Sequence, residues 1–193
     1  MKKLSTLIAG LSCALSLNAA TGVFGSYVGI DSNGSGNTFH YAQAPAEGTG
    51  SLSNFEGLDL GTFNVDNSDT LVLSGAELLT FKSGTGNVTG AEIQWRVNRV
   101  TAPSSTGSFA AVGVGFSEDV PFNDAAGNSF SNTGDQKWAS IASTPDVLAG
   151  LAKGTVASPI EYELEVFLKA FTNEGDRFSN DGGNNFTATF SVV

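Results

Sequence analysis

The stretch Tyr162-Glu163-Leu164-Glu165-Val166-Phe167-Leu168-Lys169-Ala170 has a period of two. Tyr162, Leu164, Val166 and Leu168 fall on one side, and Glu163, Glu165, Phe167 and Lys169 fall on the other. Asn184 to Val193 repeats the pattern, with Phe186, Ala188, Phe190 and Val192 on one side. Successive side chains of a strand point to opposite faces, so each segment reads as a strand with one buried face. Ala91 to Val100 is a third such strand, with Ala91, Ile93, Trp95 and Val97 directed inward. Elsewhere short β-branched and aromatic runs lie between clusters of Gly, Ser, Asn and Thr. That spacing predicts an all-β fold, an antiparallel β-sandwich of jelly-roll or immunoglobulin-like type.

The remaining strands are expected at 22–30, 39–41, 58–65, 70–74, 77–82, 108–116 and 137–141. Glu118 to Gly134 reads as a polar loop. Pro145 to Leu151 reads as one helical turn with Thr144 as its N-cap. No internal repeat and no linker divides the chain, so residues 20–193 are expected to form one domain.

Residues 1–19 read as a secretory signal peptide. Lys2 and Lys3 precede an apolar run, and Asn18-Ala19-Ala20 offers small residues for cleavage. The protein is therefore expected to be bacterial and secreted, extracellular or at the cell surface, with the periplasm as an alternative. Removing that segment leaves 7 Lys+Arg against 19 Asp+Glu, a net charge of −12. An acidic surface argues against nucleic acid, whose phosphates demand basic partners. It favours neutral or cationic ligands. The single Cys, Cys13, lies in the leader, so no disulfide or thiolate chemistry is expected of the mature chain. No later apolar run reaches the ~20 residues of a membrane helix, so no membrane span is expected.

Catalytic signatures are sparse, and the chain is expected not to be an enzyme. His40 is the only His, and it sits between Phe39 and Tyr41 as a strand residue would. No Gly-x-Ser-x-Gly or His-Glu-x-x-His motif occurs. Glu161, Glu163 and Glu165 share a strand face, which suggests a solvated surface rather than a glycosidase pair.

The loop that joins the two closing strands concentrates Asn, Asp, Gly and aromatic residues. Asn173, Glu174 and Asp176 offer oxygen atoms to a calcium ion, without the ordered spacing of a known calcium loop. Asp119 and Asp124 offer the same in the preceding polar loop. Phe178-Ser-Asn-Asp-Gly-Gly-Asn-Asn-Phe186 resembles a segment of starch- and glycogen-binding carbohydrate-binding modules, which reads Trp-Asp-Asn-Asn-(Asn/Gly)-Gly-x-Asn-Tyr. Asn180, Gly183 and Asn185 match. Phe178 stands for the Trp, Ser179 for the Asp, Asp181 for an Asn and Phe186 for the Tyr. Phe171-Thr172-Asn173-Glu174-Gly175 is similar to the approach to that loop, and Gly134-Asp-Gln-Lys-Trp138 to an upstream Gly-x-x-Trp strand.

The resemblance implies a non-catalytic, α-glucan-like polysaccharide binder. Phe178 and Trp138 would stack on sugar, and Asn180, Asp181 and Asn185 would hydrogen-bond hydroxyls. The plainer reading makes Gly182-Gly183 a turn and Phe178 and Phe186 core residues. The other functional class is a self-associating surface or matrix protein, with Phe167 and Phe171 as its contact face.

Overall fold

The computed structural model describes residues 20–101 and 107–193. The expected signal peptide lies outside them. Twelve strands form among the described residues: β1 (Ala20–Ser32), β2 (Thr38–Gln43), β3 (Leu58–Phe63), β4 (Leu71–Ser83), β5 (Val88–Arg99), β6 (Ala110–Asp119), β7 (Phe122–Asn123), β8 (Ser129–Phe130), β9 (Asp135–Ile141), β10 (Ile160–Thr172), β11 (Arg177–Ser179) and β12 (Phe186–Val192). The chain is all-β, as its alternation predicts. No helix among the described residues is long and apolar enough to cross a membrane.

One sheet in the order β2-β1-β4-β9-β6-β5-β10-β12-β3 carries nearly all the strands, with β11 added beside β10. Its ladders are antiparallel except for β3, which runs parallel to β12. In place of two stacked sheets there is this single mixed sheet, curled on itself. The curl is visible in one contact. Ser26 of β1 lies 2.7 Å from Ser179 of β11, hydroxyl to hydroxyl, although β4, β9, β6, β5 and β10 intervene along the ladder. Right-handed strand twist accumulates across a wide sheet and brings its distant strands face to face.

The concave side holds the main core. Val28 and Ile30 from β1, Leu73 and Leu78 from β4, Ile93 from β5, Leu164 and Leu168 from β10, and Phe190 from β12 belong to one buried cluster. Each such side chain contributes about 2 kcal/mol by leaving water. The inward sets expected for β10 and β12 are all buried. Trp95 packs against this cluster as expected, partly buried.

Two short expected strands are one. β4 runs unbroken through Gly75, which pairs with Gly29 across the ladder. The expected helical turn after Pro145 is an irregular turn. Asp146 there bridges to Val72, and its carboxylate accepts from the Leu148 N–H at 2.9 Å. The expected polar loop before Gly134 contains the β7–β8 hairpin. Phe122 and Phe130 of that hairpin join Tyr27 and Leu79 in a second core on the convex face of β1 and β4. Aromatics spaced within a polar segment gave no periodicity from which to read this.

Candidate functional site

The closing loop is built by β11. Its register sets Phe178 opposite Lys169 and Ser179 opposite Leu168. Ser179 therefore turns inward, and Phe178 stands outward, 48% exposed. Beyond it the chain turns through left-handed positions at Asp181, Gly182, Gly183 and Asn185. The Asn180 carbonyl accepts from the N–H groups of Gly183 and Asn185, at 2.8 and 2.9 Å. The Asn/Gly composition is thus spent first on backbone geometry. Phe186 is buried in the main core.

Ser26 stitches this loop to the opposite end of the sheet. Its hydroxyl meets Ser179 and also accepts from the Gln43 N–H at 3.2 Å. A groove of about 310 Å³ results, with Gln43 and Ala42 on one side and Phe178, Asn180, Asp181 and Phe186 on the other. The side chains of Gln43, Asn180 and Asp181 engage no other described residue by hydrogen bond or ion pair; only the backbones of these residues do. An exposed ring beside two free amides and a free carboxylate can stack on a sugar face and pair with its hydroxyls. Gln43 has no counterpart in the sequence reading, because only the curl of the sheet brings it to residue 180.

The other expected site residues lie elsewhere. Trp138 is 6% exposed, within the main core. Its indole N–H donates to Thr80 Oγ1 at 3.1 Å, and Phe116 packs edge-on against it at 5.3 Å. No face remains for a sugar, so Trp138 is removed from the expected set. Asn185 is already engaged, because its amide donates to Glu165 at 2.7 Å.

Asn173 is also occupied: its side chain accepts from the Asn87 N–H and donates to the Thr85 carbonyl. Glu174 accepts from Thr21 and faces Arg177, and Asp176 faces Lys169 at 3.7 Å. Glu174 thus ties β1 to the turn between β10 and β11, while the Asp176 pair stays within that hairpin. Among the described residues, no group of three or more His, Cys, Asp or Glu could hold a metal ion.

Glu165 departs from the expected solvated face. It is 6% exposed. Arg96 donates to it at 2.6 Å, Asn98 at 2.9 Å and Asn185 at 2.7 Å. Burial opposes its ionisation, but donation from Arg96, Asn185 and Asn98 outweighs that and holds the carboxyl below its usual range. A depressed folded-state value stabilises above the ordinary carboxylate range, and that stability is lost as pH falls through the folded value. Arg96→Ala is therefore expected to cost about 2 kcal/mol near neutral pH. The cost should shrink in acid once Glu165 takes up a proton. Urea melts at both pH values check this, and an equal cost at both would refute the pairing.

The convex face beside Phe178 is partly filled from within. Phe109 packs on Phe167 at 5.0 Å beneath the Arg96 guanidinium, Phe167 reaches Phe178 at 6.3 Å, and Lys169 covers Phe171. His40 sits on the strand β2, where its Nδ1 lies 2.7 Å from Ser53 Oγ and burial lowers its pKa. A cavity of about 730 Å³ lies at the β4–β5 turn around Lys82, Thr85, Asn87, Asp119 and Thr133. It has no aromatic wall, and its charged groups, Lys82 and Asp119, already face each other at 4.0 Å.

Comparison with family models, with curated proteins and with solved structures finds no match to this chain.

Proposed function

We propose that this is an exported, non-catalytic binding domain that takes a neutral polysaccharide of the α-glucan class in the groove beside β11. The observation that carries the reading is the set of uncommitted groups there: the exposed Phe178 ring and the free side chains of Gln43, Asn180 and Asp181. Phe178 supplies the apolar face, the amides donate and accept, and Asp181 accepts from paired hydroxyls. The acidic surface repels anionic polymers, and the leader-like segment at residues 1–19 supports export. The opposed limbs of the curled sheet enclose the core much as the layers of a β-sandwich do, which is the scaffold such binders use.

Affinity electrophoresis through gels containing starch, glycogen or neither tests the reading. Retardation of the wild type is expected, with Phe178→Ala and Asp181→Ala migrating freely. Stacking on one ring contributes on the order of 1–2 kcal/mol, so its loss should weaken retention about tenfold. Equal mobility of the wild type in all gels would sink the α-glucan reading. Assembly that grows with concentration and ignores sugar would replace it with self-association.

A further inference from the structure

We propose that a second cavity, on the convex side of β1 and β4, binds an alkylated ammonium cation. The cavity holds about 240 Å³ and lies among Phe24, Phe81, Phe130, Glu47, Asn132 and Asp135. It is separate from the groove at β11, and neither proposal depends on the other.

The rings are fixed in place. Gly22 lies opposite Phe81 in the β1–β4 ladder. The Phe81 ring lies directly on that glycine, since a Cβ there would sit 2.3 Å from Phe81 Cε1. Phe24 leans on Phe130 at 5.4 Å, and Phe122 stacks behind Phe130 at 5.2 Å. The second core thus closes the rear of the cavity, while Phe81 keeps 36% of its surface in water. The cavity is the point where that core opens to solvent.

The charge there is uncompensated. Glu47 and Asp135 both line the opening, and no Lys or Arg of the described residues lines it with them. Lys82, next in sequence to Phe81, is instead directed toward Asp119. Burial and the charge of Glu47 both push the Asp135 carboxyl upward, against donation from Asn132.

Ring faces carry negative quadrupolar charge and attract large, weakly hydrated cations. Two carboxylates add long-range attraction to the same point. A hard metal ion needs six or more oxygen ligands, and three phenyl rings supply none. An ammonium clothed in methyl groups fits both the apolar walls and the negative rim.

Titration with choline, followed by the ring resonances of the phenylalanines, tests this. The neutral isostere 3,3-dimethylbutan-1-ol and a peptide bearing trimethyl-lysine are run beside it. Choline is expected to bind about tenfold more tightly than the alcohol, weakening as salt is raised. The peptide distinguishes a free headgroup from a tethered one, and binding of either supports the site. Phe81→Ala should weaken binding about tenfold, and Glu47→Gln, on an exposed loop, several-fold without touching the fold. Phe178→Ala should leave it unchanged. Equal binding of the alcohol, indifference to Glu47→Gln, or no binding of either ammonium would overturn the proposal.

Discussion

Glu77→Gln is expected to stabilise the protein by about 3 kcal/mol at pH 8 and by little at pH 4. Glu77 lies on the convex face of β4, opposite Tyr27 and beneath the β7–β8 hairpin, and is nearly fully buried. Burial above all, helped by the charges of Asp124 and Glu118, pushes its carboxyl up to about 7, against donation from the Ala125 N–H and attraction to Lys137. The folded protein therefore holds this proton more tightly than the unfolded chain does. The resulting stability is complete below the unfolded value of 4.5 and is lost as pH rises through about 7. Glutamine keeps the acceptor for the Ala125 N–H at 2.9 Å and removes the charge. Denaturant melts across that range should show a wild-type slope that the variant flattens. An unchanged slope would mean that Glu77 is solvated in the native state.

The same node explains why the effect should be large. Tyr27 donates to Asp124 at 2.5 Å, and Asn128 donates to Asp124 with both its backbone and its amide. Burial, and then the hydrogen bond and charge of Asp124, raise the Tyr27 hydroxyl well above its ordinary value. Asp124 is thus satisfied by neutral donors. Glu77 receives a single backbone N–H, too little to offset the loss of water around a charge.

Gly134→Ala is expected to cost about 3–4 kcal/mol and to lower Tm by roughly 10 °C. Gly134 has a φ of +101°, a conformation that residues with a Cβ rarely adopt. A Cβ there would lie 2.2 Å from the Lys82 carbonyl oxygen, which is backbone and has no room to yield. Moving the chains apart would break the 3.0 Å bond from the Lys82 N–H to the Gly134 carbonyl, at the start of the β4–β9 ladder. Thermal melts decide the matter, and a loss below about 1 kcal/mol would contradict the close approach. The Gly134–Trp138 spacing that resembles a sugar-binding strand thus has a structural cause here: one residue admits a neighbouring backbone and the other fills the core.

What was legible in the chain followed from period two. Tyr162 to Leu168 and Phe186 to Val192 declare their buried faces, and the all-β class follows from them. Alternation says which face is buried but not what covers it. An alternating strand looks the same whether a second sheet or the far limb of its own sheet lies opposite. The parallel pairing of β3 with β12 joins residues some 130 positions apart and leaves no local mark. Phe178, Asn180 and Asp181 can be grouped from the sequence because they share one loop. Gln43 cannot be grouped with them, because its place in the groove depends on the Ser26–Ser179 contact. Trp138 misled because it follows a polar segment, and only the register of β9 on β4 shows it reaching Thr80.

The seam between β1 and β11 sets a schedule for the molecule. It is closed by side chains, Ser26 to Ser179 and Arg177 to the Thr21 carbonyl, which join the first strand to nearly the last across more than 150 residues. Contacts of such separation form late, because the intervening chain must be ordered before they repay their closure entropy. The groove at Gln43 and Asn180 straddles that seam, so it comes into being only when the rest of the sheet is in place. A complete but partly folded chain would possess the residues of the proposed site without its geometry. Binding at the proposed site would then report completion of the fold as a whole, an inspection step written into the topology.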